Sequence, residues 1–194
     1  MPQPLPYPAP CVTALGYDYL LFIDAKKTLW CCYQSALYKL AGVKGVVDVA
    51  TADNVVAGVS EEGWVWIWEF NPVVLGEGED IRPVKVETKS KASRVWMREG
   101  EMWLGGEETI YYMQRNEWYQ PSQFSDPQVV RGLTDITKVC PGTRAVYFLN
   151  THGDVYFASK QTPTVPSKLK TNMTFIDIAA GDGGVGVCSK GRLW

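Results

Sequence analysis

The sequence predicts an all-β chain, a five-bladed β-propeller built as a single domain over residues 1–194. Three observations lead there: five segments that end alike, near-even spacing between those ends, and a composition suited to short strands and turns. Each segment finishes in a small turn, an apolar residue and an aromatic, at Trp30, Trp66, Tyr111, Tyr156 and Trp194. The aromatics are 36, 45, 45 and 38 residues apart, and 30 further residues lead from Trp194 through the N-terminus to Trp30. That makes a repeat of about 39 residues, room for three or four strands of ~5 residues with their turns. Small antiparallel sheets repeated at this interval suit a propeller, because radial repetition leaves only short, protected strand edges. Eight Trp, ten Tyr, 18 Gly and 12 Pro fit such strands and turns.

The segments read in order as TALGYDYLLFIDAKKTLW, VDVATADNVVAGVSEEGWVW, VWMREGEMWLGGEETIY, TKVCPGTRAVYFLNTHGDVY and IDIAAGDGGVGVCSKGRLW. In each, an apolar stretch leads to a small residue, in turn Gly16, Ala52, Gly100, Gly142 and Gly181. A second apolar run follows, then a polar turn, then the closing aromatic. Gly63, Gly153 and Gly191 stand three positions before that aromatic, while Lys27 and Glu108 hold the place in the other two copies. Strand, tight turn, strand is the simplest account, since glycine supplies the positive φ that short hairpins need. Residues 31–41, CCYQSALYKLA, read as an outer strand and loop rather than a helix. The chain stops just after a strand and begins before one, so the N-terminal segment is expected to pair into the last blade and close the ring. An irregular β-sandwich with accidentally similar hairpins is the competing architecture.

The fifth copy, FIDIAAGDGGVGVCSKGRLW, resembles the repeat of the RCC1 family of propellers (regulator of chromosome condensation). The shared pattern is an apolar pair, two small residues and Gly, an alternating apolar strand, and Gly-x-apolar-aromatic. The lead-in PQVVRGLTDITKVCPG, from Pro127 to Gly142, matches the family's Pro-rich approach to its strand. The family's His is absent, Gly184 standing in its place, and so is the Gly that follows its closing aromatics. The resemblance implies a propeller, and with it chromatin binding or nucleotide exchange on a small GTPase. The short Trp-containing repeats are also similar to tectonin-like lectin propellers, which implies carbohydrate binding. No Trp-Asp dipeptide supports a WD40 assignment.

Charge narrows these functions. Nineteen Lys and Arg against 21 Asp and Glu give a net charge of −2, the wrong sign for a dedicated nucleic-acid or chromatin binder. Five Cys with no C-x-x-C pair give neither a disulfide framework nor a zinc knuckle, and point to reduced thiols. The N-terminal MPQPLPYPAP lacks the apolar core of a signal peptide, and no apolar run is long enough to span a membrane. The expectation is a soluble intracellular protein, cytoplasmic or nuclear.

Candidate sites were weighed against ordinary structural roles. His152, in the turn NTHGD with Asp154 nearby, occupies a turn position that the other copies fill with Glu or Lys, so it reads as exposed rather than catalytic. Gly181, Gly183 and Gly186 spell a dinucleotide fingerprint, but no strand-to-helix unit surrounds them. Cys31 and Cys32 read as packing residues pointing to opposite faces of one strand. Glu77, Glu79 and Asp80 lie in a Gly-rich loop that reads as a solvated turn rather than a calcium site. Six cations, Arg82, Lys85, Lys89, Lys91, Arg94 and Arg98, face one acid, Glu87, over residues 82–98. They form either a steering surface for an acidic partner or a solvated edge. Two residues before the closing aromatic, four copies carry Thr28, Thr109, Asp154 and Arg192, and the second carries Trp64. An aromatic at a polar position is expected to be exposed and to anchor a partner. Trp118 and Tyr119 form a second anchor candidate. The reading is a non-enzymatic protein-interaction scaffold without cofactor or metal, whose partner is a protein with an acidic surface. A glycan-binding lectin is the alternative.

Overall fold

The computed structural model describes residues 12–16, 18–69, 81–88, 90–106, 108–116, 123–181 and 184–188. They form antiparallel sheets in which consecutive strands are neighbours. The first sheet comprises β1 (Val12–Leu15), β2 (Tyr19–Ile23), β3 (Leu29–Tyr33) and β4 (Ala36–Lys39). The second comprises β5 (Val46–Ala52), β6 (Val55–Ser60), β7 (Val65–Glu69) and β8 (Val84–Val86). The third holds β9 (Arg94–Arg98), β10 (Glu101–Gly105), β11 (Ile110–Gln114) and β12 (Gln128–Val130). The fourth holds β13 (Ile136–Pro141), β14 (Ala145–Asn150), β15 (Val155–Ser159) and β16 (Ser167–Lys168). The fifth shows β17 (Phe175–Ala180) and β18 (Gly184–Cys188) among the described residues. Trp30, Trp66, Tyr111 and Tyr156 all fall on the third strand of their sheet, so the sequence repeat is the structural repeat.

The second strands explain the uninterrupted apolar runs. Every residue of β6 and of β10 is buried, because a middle strand packs both faces against neighbouring sheets. Four apolar clusters lie between successive sheets. Leu21, Cys31, Val46, Val56 and Trp68 join the first to the second, and Ile67, Val95, Met102 and Met113 the second to the third. Trp103, Tyr112, Val139 and Phe148 join the third to the fourth, and Leu149, Val155, Phe175 and Ile178 the fourth to the fifth. The first strands β1, β5, β9, β13 and β17 neighbour one another in turn, so they line the centre and the fourth strands lie outside. In β5, β13 and β17 the pairing register shifts at the same place, between Val46 and Asp48, Ile136 and Lys138, and Phe175 and Asp177. Such bulges bend and twist a strand locally, and here they recur with the repeat.

Two expectations change. Ring closure is not seen among the described residues, and residues 1–11, the segment expected to provide it, lie outside them; β1 pairs with β2 through the tight turn at Gly16, whose N–H donates to the Tyr19 carbonyl at 2.9 Å. A hairpin closed within a few residues costs little entropy. Among the described residues no strand pairing joins the fifth sheet to the first, and only the first four sheets show four strands. Residues 31–41 are the end of β3 and β4, turned by Gln34 and Ser35 at φ 46° and 64°. No helix occurs among the described residues, so none is long and apolar enough to cross a membrane.

Candidate functional site

The turns between second and third strands form a repeated frame. In the first, second and fourth sheets the turn opens on a buried polar side chain, in order Asp24, Ser60 and Asn150. The Asp24 carboxylate accepts the N–H groups of Lys26 at 2.8 Å and Thr28 at 2.9 Å, and the Trp30 indole N–H at 2.9 Å. Ser60 Oγ accepts the Trp64 N–H at 3.3 Å. Asn150 Oδ1 accepts the N–H groups of His152 at 3.1 Å and Asp154 at 2.8 Å. Burial favours neutral Asp24, but these hydrogen bonds outweigh it and hold the carboxyl below its ordinary range. Lys27, Gly63 and Gly153 then take φ values of 59°, 80° and 80°. Their carbonyls accept N–H groups from Val46, Ala92 and Phe175, at the entry to the next sheet. The turn in each of these copies is thus fixed to its own sheet and to its neighbour.

Trp64 departs from the other copies on this frame. Its ring is half-buried rather than fully exposed, because lysines from two segments cover it. Lys85 Nζ stands 3.5 Å and Lys91 Nζ 4.0 Å from the ring centroid, both inside cation–π range. Lys85 arrives because β8 pairs with β7, opposite Trp66. Lys91 arrives because Ala92 N–H is held by the Gly63 carbonyl. Glu62 completes the group: its carboxylate accepts the Trp64 indole N–H at 3.1 Å, and its backbone carbonyl accepts from Lys91 Nζ. Beside it opens a cavity of about 320 Å³ lined by Ser90, Lys91, Gly106, Glu108, Thr109 and Tyr111. The Ser90 hydroxyl and the Tyr111 phenol are hydrogen-bonded there at 2.8 Å. The arrangement offers an aromatic ring with two cations and a neighbouring polar hollow.

The basic run does not form one face. Arg82 is exposed ahead of the outer strand β8, and Lys85 and Lys91 meet Trp64. Arg94 and Arg98 lie on β9, an inner strand. Arg98 is a structural tie, donating to the Pro141 carbonyl at 3.2 Å and to Thr143 Oγ1 at 2.7 Å, and pairing with Glu99 at 3.2 Å. Arg94 lines a central cavity. Lys89, Trp118, Tyr119, Glu77, Glu79 and Asp80 lie outside the described residues. His152 is an exposed turn residue. Cys31 is buried and Cys32 half-buried on β3, and burial pushes the Cys31 thiol up to about 12. Gly181 sits in a turn and Gly186 on β18, so among the described residues the glycine pattern leads into a strand rather than a helix.

Sequence reading passed over three further elements. Glu62 looked like turn filler. Asp48 was visible as the one acid in the apolar strand VVDVATA. Glu101 is buried at the start of β10, where it accepts from the Tyr112 hydroxyl at 3.2 Å and pairs with Lys160 of the fourth sheet. Burial lowers the Lys160 pKa. No group of three or more potential metal ligands occurs among the described residues.

No family model matches the chain, and no curated protein matches it in sequence. Solved structures do. Human WBSCR16 is 17% identical, with a TM-score of 0.68 over 91% of this chain and 57% of its own. Yeast RCC1 (Prp20), in a structure with Kap60 bound to it, is 17% identical, with a TM-score of 0.64 over 93% of this chain and 54% of its own. The β-propeller domain of Cps50 (Swd1) from Myceliophteria thermophila is 10% identical, with a TM-score of 0.65 over 95% of this chain and 64% of its own. The chain therefore spans between half and two thirds of the length of each of these proteins. At such identities the likeness shows the fold alone: an all-β, propeller-like arrangement whose structural neighbours include RCC1-like propellers.

Proposed function

We propose that the chain is an intracellular, non-catalytic platform for protein docking, an arc of five propeller blades working without cofactor or metal. The observation that supports this most is the Trp64 group: an aromatic ring and two lysines held together on a turn fixed by hydrogen bonds to two sheets. Trp is enriched among the residues that dominate binding energy, and a rigid frame reduces the entropy lost on association. Lys85 and Lys91 give the site a positive face in a chain of net charge −2, which favours an acidic segment as partner. At the level of fold, yeast RCC1 is a propeller-like neighbour with a protein bound to it. Chromatin binding and nucleotide exchange find no support in the charge or in the Trp64 group.

Fluorescence anisotropy with a labelled oligo-glutamate peptide, and an oligo-lysine peptide as control, tests the reading. The acidic peptide is expected to bind, more weakly as salt is raised, and to lose about tenfold or more in affinity with Trp64→Ala or with Lys85→Glu plus Lys91→Glu. Equal binding by all variants would overturn the assignment of this site. Binding of a glycan that Trp64→Ala abolishes, with no peptide binding, would favour the lectin reading.

A further inference from the structure

The first strands β1, β5, β9 and β13 surround an open cavity of about 370 Å³, a size typical of ligand pockets. Its lining includes Asp48, Thr51, Arg94, Trp96, Met97 and Pro141. The two charged groups stand on neighbouring strands and are held differently. The Asp48 carboxylate is oriented by backbone, accepting the Val95 N–H across the sheet junction at 2.8 Å and the Val49 N–H on its own strand. Burial raises the Asp48 pKa, with these hydrogen bonds and the charge of Arg94 opposing, so an added cation would find a carboxylate that gains from it. Arg94 is exposed to the cavity, and it forms no contact ion pair with Asp48 or with another acid among the described residues. Trp96 lies two residues beyond Arg94 on β9, on the same side of the strand, and supplies an apolar surface beside it.

A separated carboxylate and guanidinium over an apolar wall select strongly among small molecules. A lone anion is attracted by Arg94 and repelled by Asp48. A lone cation meets the reverse, and an apolar molecule leaves both charges without a counter-charge at a cost in desolvation. A molecule carrying both charges, with an apolar body, satisfies the whole site. We propose that the central cavity binds a free amino acid with an apolar side chain, its carboxylate on Arg94, its ammonium on Asp48 and its side chain against Trp96. Arg94 can take the carboxylate through paired N–H donors, and the Asp48 oxygens retain acceptor capacity beyond their backbone bonds. The site is separate from the Trp64 group and does not depend on how that group is used.

The test is a saturation-transfer NMR titration of the full chain with L-phenylalanine. The two half-ligands are 3-phenylpropionate, which lacks the ammonium, and 2-phenylethylamine, which lacks the carboxylate. L-phenylalanine is expected to bind at least about tenfold more tightly than either half-ligand, each lost ion contact costing on the order of that factor. Arg94→Gln is expected to abolish the preference over phenylethylamine while leaving the preference over phenylpropionate. Asp48→Asn, which keeps an acceptor for the Val95 N–H, is expected to do the opposite. Arg94→Gln alters an exposed side chain, so it carries the test even if Asp48→Asn unfolds. Absence of transfer from L-phenylalanine, equal binding of a half-ligand, or unchanged preferences in Arg94→Gln would each overturn the proposal. Binding by phenylpropionate alone would make the cavity an anion site, also against it.

Discussion

The turn after β6 and the turns after β2 and β14 share one construction and carry different cargo. All three open on a buried polar side chain, pass through a residue of positive φ, and hand a carbonyl to the next sheet. The residue that follows the positive φ differs. It is Thr28 in the first sheet, Asp154 ion-paired with Lys168 in the fourth, and Trp64 under Lys85 and Lys91 in the second. The repeated positions are those the fold needs, and the departing position is where a binding group can be placed without disturbing the frame. A second contrast lies at the junctions. The first, second and fourth use a turn carbonyl to hold the next sheet. At the third no such bond is seen among the described residues, and the Glu101–Lys160 pair and Arg98 bridge the sheets instead.

The largest effects should come from breaking that contrast at the junctions. Lys160→Met is expected to destabilise the protein by about 3 kcal/mol in urea unfolding, because it leaves Glu101 buried without its cation. Replacing both residues by apolar ones, with Glu101→Leu added, should recover most of the loss. Gly153→Ala should cost about 3 kcal/mol. Its φ is 80°, and an added Cβ would stand 2.3 Å from Thr174 Cγ2 and 2.7 Å from the Phe175 carbonyl oxygen. Lys27→Gly, at the matching position where a side chain is already tolerated, should change stability by less than about 1 kcal/mol. A large loss in Lys27→Gly would show that the two turns are not equivalent.

Asp24→Ala removes three hydrogen bonds from one turn and should cost about 2 kcal/mol, against about 1 kcal/mol for Ser60→Ala, which removes one. The Asp24 term has a pH signature. Its folded pKa lies below the unfolded value, so its contribution is complete above the ordinary carboxylate range and is lost as pH falls through the folded pKa. Thermal unfolding against pH should therefore show a shallower acid decline in Asp24→Asn than in the wild type. Trp64→Ala should be the mildest for the fold, under about 1 kcal/mol, since the ring is only half-buried and lies under two lysine heads, with its indole N–H on the exposed Glu62 carboxylate.

Much of the frame was legible in the sequence because its signals are local. Gly63 and Gly153 marked the turns, the closing aromatics marked the third strands, and residues 31–41, read as an outer strand and loop, hold the outer strand β4. The fourth strands were harder to see, since Val84–Val86, Gln128–Val130 and Ser167–Lys168 are short and largely exposed. Ring closure is a long-range pairing with no local signal and is not seen among the described residues, whereas the Gly16 hairpin is local and was legible. Trp64 and the lysines were each singled out, but their meeting depends on the register that sets Lys85 opposite Trp66. A run of cations in sequence could not reveal that Arg94 and Arg98 enter an inner strand while Lys85 stays on an outer one.

The central claim is that Trp64 is a docking residue on a frame that does not need it. Affinity capture from native extract with wild type, Trp64→Ala and the exposed control Val165→Ser in parallel, each first shown to be folded, addresses it most directly. The account predicts a discrete protein partner retained by wild type and control and lost with Trp64→Ala. Retention of the same partner by all three proteins would contradict it and reduce Trp64 to a packing residue.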